Sequence, residues 1–268
     1  MDSGFVDRME RAARKRRARI GIGVDGGGQE IVAGMKEAGE YAEIVMVGDP
    51  GSDSEVGGVN LVRAEDPASA LVDLLAKGEI DGAVRGNLSA TRVMRRIAGT
   101  FEVRVRRISL LSLPGWSFFL APVGIDEGDC ISDRLDLAVG GAGYLKDMGV
   151  DPKVSVLSGG RMEDLGRSDR IDRTLAEAEL VARLARDGGV RAEHRGILIE
   201  TCRGDDLIVA PDGISGNLIF RTLMLLSGAR GFGAPVIMDP VFVDSSRARK
   251  SFGGPIMLAS ALVAMKGR

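Results

Sequence analysis

The chain has one histidine, His194, and two cysteines, Cys130 and Cys202, in 268 residues. A histidine-rich zinc site, a Ser-His-Asp triad and a Cys-His dyad each ask for more than this supply offers in suitable places. There is no CxxC, so a disulfide framework is not expected and a reducing, cytoplasmic setting is. Aromatic residues make up only 4%, too few for a platform on which bases stack. Neither charge dominates: 36 basic against 38 acidic side chains leave a net charge of −2. A general nucleic-acid binder would carry a basic surplus. Long apolar runs are missing as well. The most apolar stretch, near Ile256–Met265, is well short of a bilayer span. The first twenty residues have no apolar core of a secretory signal. Neither nucleic acid nor membrane is therefore an expected partner.

What the chain has in quantity is glycine, 38 residues, beside 44% hydrophobic and 28% charged residues. That composition fits a packed α/β protein with many tight strand-to-helix turns. The pattern along the chain agrees. A charged helix is expected over Phe5–Arg17, with Phe5, Val6, Met9 and Ala12 or Ala13 on one face. Strands are expected at Arg19–Val24, Glu43–Val47, Val59–Val62, Asp81–Val84 and Arg104–Leu111, separated by helices at about Gln29–Ala38, Pro67–Lys77 and Asn87–Ile97. Asp66-Pro67 makes a good helix start, a capping acid followed by proline at the first helical position. Leu113-Pro114-Gly115-Trp116 interrupts the alternation, and Phe118–Val123 reads as an edge strand or a hairpin arm. The alternation then restarts: helix over Arg134–Met148, strand over Lys153–Leu157, helix over Arg173–Asp187, strands over Gly196–Glu200 and Asp206–Val209, a helix opened by Asn217, a strand within Val236–Val243 and a helix over Pro255–Met265. The expectation is an α/β fold of two α/β/α domains with mostly parallel sheets. The first domain takes residues 1–118 and 234–268, the second 119–233, with a ligand cleft between them.

Several turns carry residue types suited to binding. Gly21-Ile22-Gly23-Val24-Asp25-Gly26 matches GxGxxG formally. Ile20, Ile22 and Val24 read better as alternating strand positions, so Gly21 and Gly23 fall inside the strand and the loop begins at Asp25. Arg85-Gly86-Asn87-Leu88 and Ser215-Gly216-Asn217-Leu218 look alike, each a glycine turn with a capping asparagine ahead of a helix. Thr91, Arg92, Arg95 and Arg96 follow the first of these, where helix N-terminal amides and a guanidinium suit a phosphate or carboxylate. Arg92 is expected on the solvent side. Asp244-Ser245-Ser246-Arg247 ends a strand, the position at which open α/β sheets bind ligands. Its serine hydroxyls and forked guanidinium make a natural anion clamp. Asp126-Glu127-Gly128-Asp129 offers oxygen ligands without EF-hand spacing and reads as a polar loop. No metal site is expected.

The ordered set of turns resembles the phosphate acetyl- and butyryltransferase superfamily from about Pro67 to the end. Asp81–Asn87 resembles its strand and glycine turn. Gly128–Ile131 resembles its Asp-Cys-Ala segment, Lys153–Ser158 its central strand, Ala210-Pro211-Asp212 with Gly216-Asn217 its Pro-Asp…Gly-Asn element, and Ser246-Arg247 its Ser-Arg pair. The resemblance implies a fold like that of isocitrate and isopropylmalate dehydrogenases. It implies Ser246, Arg247 and Arg96 as the catalytic set, with Gly86, Asn87, Thr91, Asp129, Gly216 and Asn217 binding substrate. Coenzyme A or an acyl phosphate would be the substrate, with no further cofactor named. The family's downstream aspartate is not evident, for Ala248-Arg249-Lys250-Ser251 follow Arg247. The compact length and the pattern look most like the methanogen branch called MtxX, or methanogenesis marker protein four, which carries a methyltransferase designation. That implies a group transferase of a methanogenic archaeon, a small anionic metabolite as ligand, and a homodimer. The alternatives are a methyltransferase-associated subunit acting with a corrinoid protein, and a non-catalytic ligand sensor.

Overall fold

The computed structural model describes Met1 and residues 4–26, 38–51, 59–245 and 251–267. The chain divides into two compact units. One holds Asp7–Val105 with Phe232–Arg268, the other Met1–Val6 with Arg106–Gly231. The first crossing thus comes ahead of residue 118. The reason is a hairpin: β5 (Ser109–Leu113) pairs antiparallel with β6 (Trp116–Ala121) about the Pro114-Gly115 turn, so both arms stay in one unit. Phe118 and its neighbours form an interior strand, because β6 also pairs parallel with β9 (Leu207–Val209).

In the unit that holds Asp7–Val105 and Phe232–Arg268, the strand order is β3-β2-β1-β4-β11-β10. These are β1 (Arg19–Asp25), β2 (Glu43–Asp49), β3 (Asn60–Val62), β4 (Gly82–Val84), β10 (Arg230–Pro235) and β11 (Val241–Asp244). The pairs β1–β2, β2–β3, β1–β4 and β4–β11 are parallel. Only β10–β11 is antiparallel. The strand expected within Val236–Val243 is β11, and β10, which ends at Pro235 ahead of that span, was not expected. Among the described residues its helices are α1 (Phe5–Arg16), which enters it at Asp7, α2 (Pro67–Ala76), α3 (Ala90–Phe101) and α7 (Gly253–Met265). Phe5, Met9 and Ala13 of α1 are fully buried, a stripe at helical spacing. The helix expected over Gln29–Ala38 lies almost wholly outside the described residues.

Gly21 and Gly23 do lie inside β1. A Cβ at Gly21 would fall 2.6 Å from Ile80 and one at Gly23 2.2 Å from Leu88. Leu71, Ile80 and Leu88 pack too close to β1 at these positions for a side chain. On the other face of the sheet α7 is buried from Pro255 to Val263, so the sheet is covered on both sides. Asp66 caps α2 by accepting from the Ser69 amide at 3.3 Å and the Ser69 hydroxyl at 2.8 Å. The Ser69 hydroxyl, more than the amide, holds the Asp66 carboxyl below its ordinary range.

The other unit has the strand order β5-β6-β9-β7-β8, with β7 (Lys153–Leu157) parallel to both β8 (Arg191–Gly196) and β9. Its helices are α4 (Ile131–Asp147), α5 (Asp169–Asp187) and α6 (Gly213–Leu226). The strand expected at Gly196–Glu200 falls at Arg191–Gly196 instead. β8 is a charged edge strand, RAEHRG, and the apolar run after it forms a 3-10 turn over Ile199–Cys202. Edge strands carry charge of this kind to block further pairing. Its core gathers Leu111, Trp116, Phe118, Leu120, Leu157, Cys202 and Ile208. Among the described residues no helix is long and apolar enough to cross a membrane.

Candidate functional site

Three neighbouring parallel strands, β1, β4 and β11, end side by side, and polar side chains lace their carboxyl ends together. From the turn after β4, the Asn87 side chain accepts from the Asp25 amide at 2.8 Å and donates to the carbonyls of Asp25 and Gly26 at 3.2 and 2.9 Å. It thus closes the end of β1. Arg85, only 4% exposed, donates from Nε to Asp244 Oδ1 at the end of β11 and from Nη1 to the Leu88 carbonyl at 2.6 Å. Asp244 Oδ1 also accepts from the Ser245 amide at 2.9 Å, and the Ser245 hydroxyl donates to the Gly86 carbonyl at 3.0 Å. Gly86 has φ +65°, and a Cβ on it would lie 1.9 Å from the Gly23 carbonyl oxygen. Glycine is required there for both conformation and space.

Helix α3 starts beside this lacing. Ser89, not Asn87, is its cap residue, and the Ser89 side chain makes no capping bond. The asparagine is withdrawn from the expected capping role because its amide is fully used on β1. Thr91 is exposed on the first turn. Arg96 pairs with Asp73 of α2 at 2.5 Å, and Arg92 pairs with Asp66 at 3.2 Å while remaining 62% exposed. Both guanidiniums therefore lean across to α2. Ser246 and Arg247 lie outside the described residues, directly after Ser245.

The remaining expected binders are in the other unit. Ser215-Gly216-Asn217 is not a turn: α6 already begins at Gly213, capped by Asp212, whose Oδ1 accepts from the Ser215 amide at 2.7 Å. Gly216 lets the helix approach the segment after β6, for a Cβ there would meet the Pro122 carbonyl at 1.9 Å. Asn217 donates to the Val123 carbonyl at 2.8 Å. The likeness to Arg85–Leu88 is one of letters, because one segment is a left-handed turn and the other a helix. Asp129 is exposed in the loop before α4. Glu127 of that loop is bound to Arg107 and accepts from the Gly124 amide at 3.3 Å. Among the described residues no group of three or more His, Cys, Asp or Glu side chains could hold a metal ion.

Sequence reasoning missed two features. Arg85 and Asp244 stand 159 residues apart, and their only signal was an ionisable residue directly after each of two apolar strands. The single histidine also has a hydrogen-bonding partner at each nitrogen: His194 Nε2 lies 2.9 Å from Ser158 Oγ and Nδ1 lies 3.2 Å from Glu179 Oε2. The order Ser-His-Glu is that of a hydrolytic triad, which the count of one histidine argued against. Ser158 is 1% exposed and its hydroxyl lies 3.0 Å from the Gly160 carbonyl, so it is no accessible nucleophile.

The fold defines a phosphotransacetylase-like α/β protein. The structure is similar to a phosphotransacetylase from Streptococcus pyogenes, with a TM-score of 0.72 at 16% identity, covering 97% of each chain. It is also similar to the EutD phosphotransacetylase of Staphylococcus aureus, with a TM-score of 0.69 at 16% identity, over 97% of this chain and 98% of that one. No family model matches the sequence. It is 43% identical over 265 residues, 96% of the chain and 95% of the relative, to a Methanosarcina mazei protein named "Putative methyltransferase mtx subunit X". A Methanosarcina acetivorans protein of the same name is 44% identical over the same share. The chain belongs to this mtx subunit X family of methanogens.

Proposed function

We propose that the protein is a group transferase whose anionic substrate binds at the carboxyl ends of β1, β4 and β11. The observation that carries this reading is the lacing of those ends by Asn87, Arg85, Asp244 and Ser245. It holds Ser245, the residue ahead of Ser246 and Arg247, against the Gly86 turn that leads into the uncapped start of α3. Amides at a helix start and a forked guanidinium favour phosphate or carboxylate. Ser246 would hydrogen-bond the anion, Arg247 would neutralise it, and the α3 amides with Thr91 would complete its shell. Acyl transfer needs an electrophile held in line with its nucleophile and donors for the developing oxyanion, and these groups are of the kind that supply both. Asn87 and Gly86 act by shaping the turn, since their polar atoms are already spent within the protein. Arg96 would join the anion only by leaving Asp73.

A coenzyme A ester or acyl phosphate is the substrate class this reading favours, on the fold shared with phosphotransacetylases. The test is exchange of the acetyl group between acetyl phosphate and coenzyme A by the purified chain. Turnover lost in Arg247→Ala supports the reading, and an inactive wild type that also binds neither compound overturns it. The word "subunit" in the relatives' names favours a second reading, a component that works with a corrinoid protein in methyl transfer. Co-purification of such a protein, with no acyl exchange, would select it.

A further inference from the structure

His194 lies in the edge strand β8 with its ring turned toward α5, and it is 4% exposed at the side chain. The hydrogens around the ring can be counted. Ser158 has a single hydroxyl hydrogen and two neighbouring acceptors, the Gly160 carbonyl at 3.0 Å and the ring Nε2 at 2.9 Å. The Glu179 carboxylate at Nδ1 can only accept when ionised. If Ser158 donates to Gly160, both ring nitrogens must carry a proton. If the ring loses the Nε2 proton, that nitrogen becomes an acceptor and the serine hydrogen is drawn to it, away from Gly160. Two arrangements of one hydrogen thus correspond to two charge states of one ring.

We propose that His194 is a protonation switch on the Ser158-Gly159-Gly160 turn at the carboxyl end of β7. In the charged state the chain of bonds runs Glu179, His194, Ser158, Gly160, and the turn is locked. Loss of the Nε2 proton to solvent turns the Ser158 hydroxyl to the ring and releases the Gly160 carbonyl. The groups that face the ring are few. From α5 there is Glu179, whose other oxygen accepts from Arg186 Nη2 at 3.1 Å. From the turn, among the described residues, the Ser158 hydroxyl meets the ring at 2.9 Å, while the Arg161 amide donates to the Asp164 carboxylate at 2.9 Å. On β8 itself, Glu193 and Arg195 project to the other face and pair together at 3.0 Å. Among the described residues the turn has further tethers, the Ser158 amide donating to the Gly196 carbonyl at 2.9 Å and the Gly159 amide donating to the Thr174 hydroxyl at 3.0 Å, so the switch changes one bond of the turn and leaves it folded. The switch is independent of the proposed transferase activity.

A chain with one histidine allows a direct test. The His194 ring signals are followed by NMR from pH 5 to 9 in the full chain, together with the backbone amides of Gly159, Gly160 and Arg161. The expected result is that the three amides shift with the same midpoint as the ring. In Ser158→Ala the ring should still titrate while the amides lose that response. In Glu179→Gln the new amide can donate to Nδ1 while Nε2–H stays on Ser158, so the turn should remain locked across the range. A ring that titrates with the turn amides unmoved overturns the proposal. So does an amide response that survives Ser158→Ala, or a ring that does not titrate in this range.

Discussion

Arg85 and Asp244 form a buried ion pair that fastens the end of β4 to the end of β11. Their side chains are 5% and 10% exposed, so neither charge has much water to fall back on. Removing one partner of such a pair strands the other, at a typical cost of about 3–5 kcal/mol, whereas replacing both with apolar groups of similar volume is often nearly neutral. Asp244→Asn and Arg85→Met should each lower the urea midpoint sharply, and the double variant Arg85→Met with Asp244→Leu should recover much of the loss. A loss in the double variant as large as the sum of the two single losses would show that the pair's charges are not coupled.

Gly86 sets the turn that follows β4. An added Cβ would be forced into a left-handed backbone and toward the Gly23 carbonyl. Gly86→Ala should cost about 2 kcal/mol or more, by strain and displacement together. Gly99→Ala is the control: its added Cβ meets nothing within 4 Å, and alanine favours a helix interior by about 1 kcal/mol. Chemical denaturation should separate the two in sign.

Arg134 is a 1% exposed residue on α4 whose guanidinium bonds Glu177 of α5. Its Nε has no hydrogen-bond partner. Burial pushes the Glu177 carboxyl up, but hydrogen bonds from Arg173 and Arg134 outweigh it and hold the group below its ordinary value of 4.5. A depressed carboxylate contributes stability above its unfolded pKa and loses it as the pH falls through the folded one. Glu177→Gln should therefore destabilise at neutral pH by about 3 kcal/mol, within the range for an uncompensated buried charge. The gap to wild type should narrow below pH 4.5, in unfolding curves taken across the acid range.

The two thiols should react very differently. Cys130 is exposed and Cys202 is buried, and burial, the largest influence on it, pushes the Cys202 thiol up. The thiolate is the reactive form, so a thiol reagent at pH 8 should modify Cys130 in the native protein and reach Cys202 only on unfolding. Mass spectrometry of the labelled peptides reads the order, and early labelling of Cys202 would contradict its burial.

Most of the described strands and helices could be read from apolar spacing and turn residues, because periodicity reports burial of one face or both; β10, rich in glycine, was not. Glycine was harder to interpret. Gly21 and Gly23 were recognisable as strand residues from the Ile20-Ile22-Val24 alternation, yet Gly216 looked like a turn and is helical. A glycine that admits a neighbouring backbone carries the same letter as one that needs a left-handed φ. The site behaved likewise. Asn87 and Ser245 stood out as polar residues at strand ends, but what each one bonds depends on which strands are adjacent, and β4 meets β11 across most of the chain's length. The edge strand β8 was displaced because its outward charges hid it beside the more apolar Gly196–Glu200. A count of one histidine could speak against a triad, but it could not reveal that Ser158 and Glu179 stand on either side of the ring.

The central claim is an anion site at the ends of β1, β4 and β11 with Arg247 as its charged partner. Calorimetric titration of phosphate, acetyl phosphate and coenzyme A against wild type, Arg247→Ala, Arg247→Lys and Arg96→Ala tests it most directly, with folding checked by circular dichroism. Losing one charge-assisted bond typically costs about 1.5–3 kcal/mol, roughly ten- to a hundredfold in affinity. Arg247→Ala should show that loss for the ligand that binds wild type, Arg247→Lys should recover little of it because an ammonium lacks the planar fork, and Arg96→Ala should stay within a few fold because Asp73 already holds that guanidinium. Wild-type affinity in Arg247→Ala, or a loss confined to Arg96→Ala, would contradict the account.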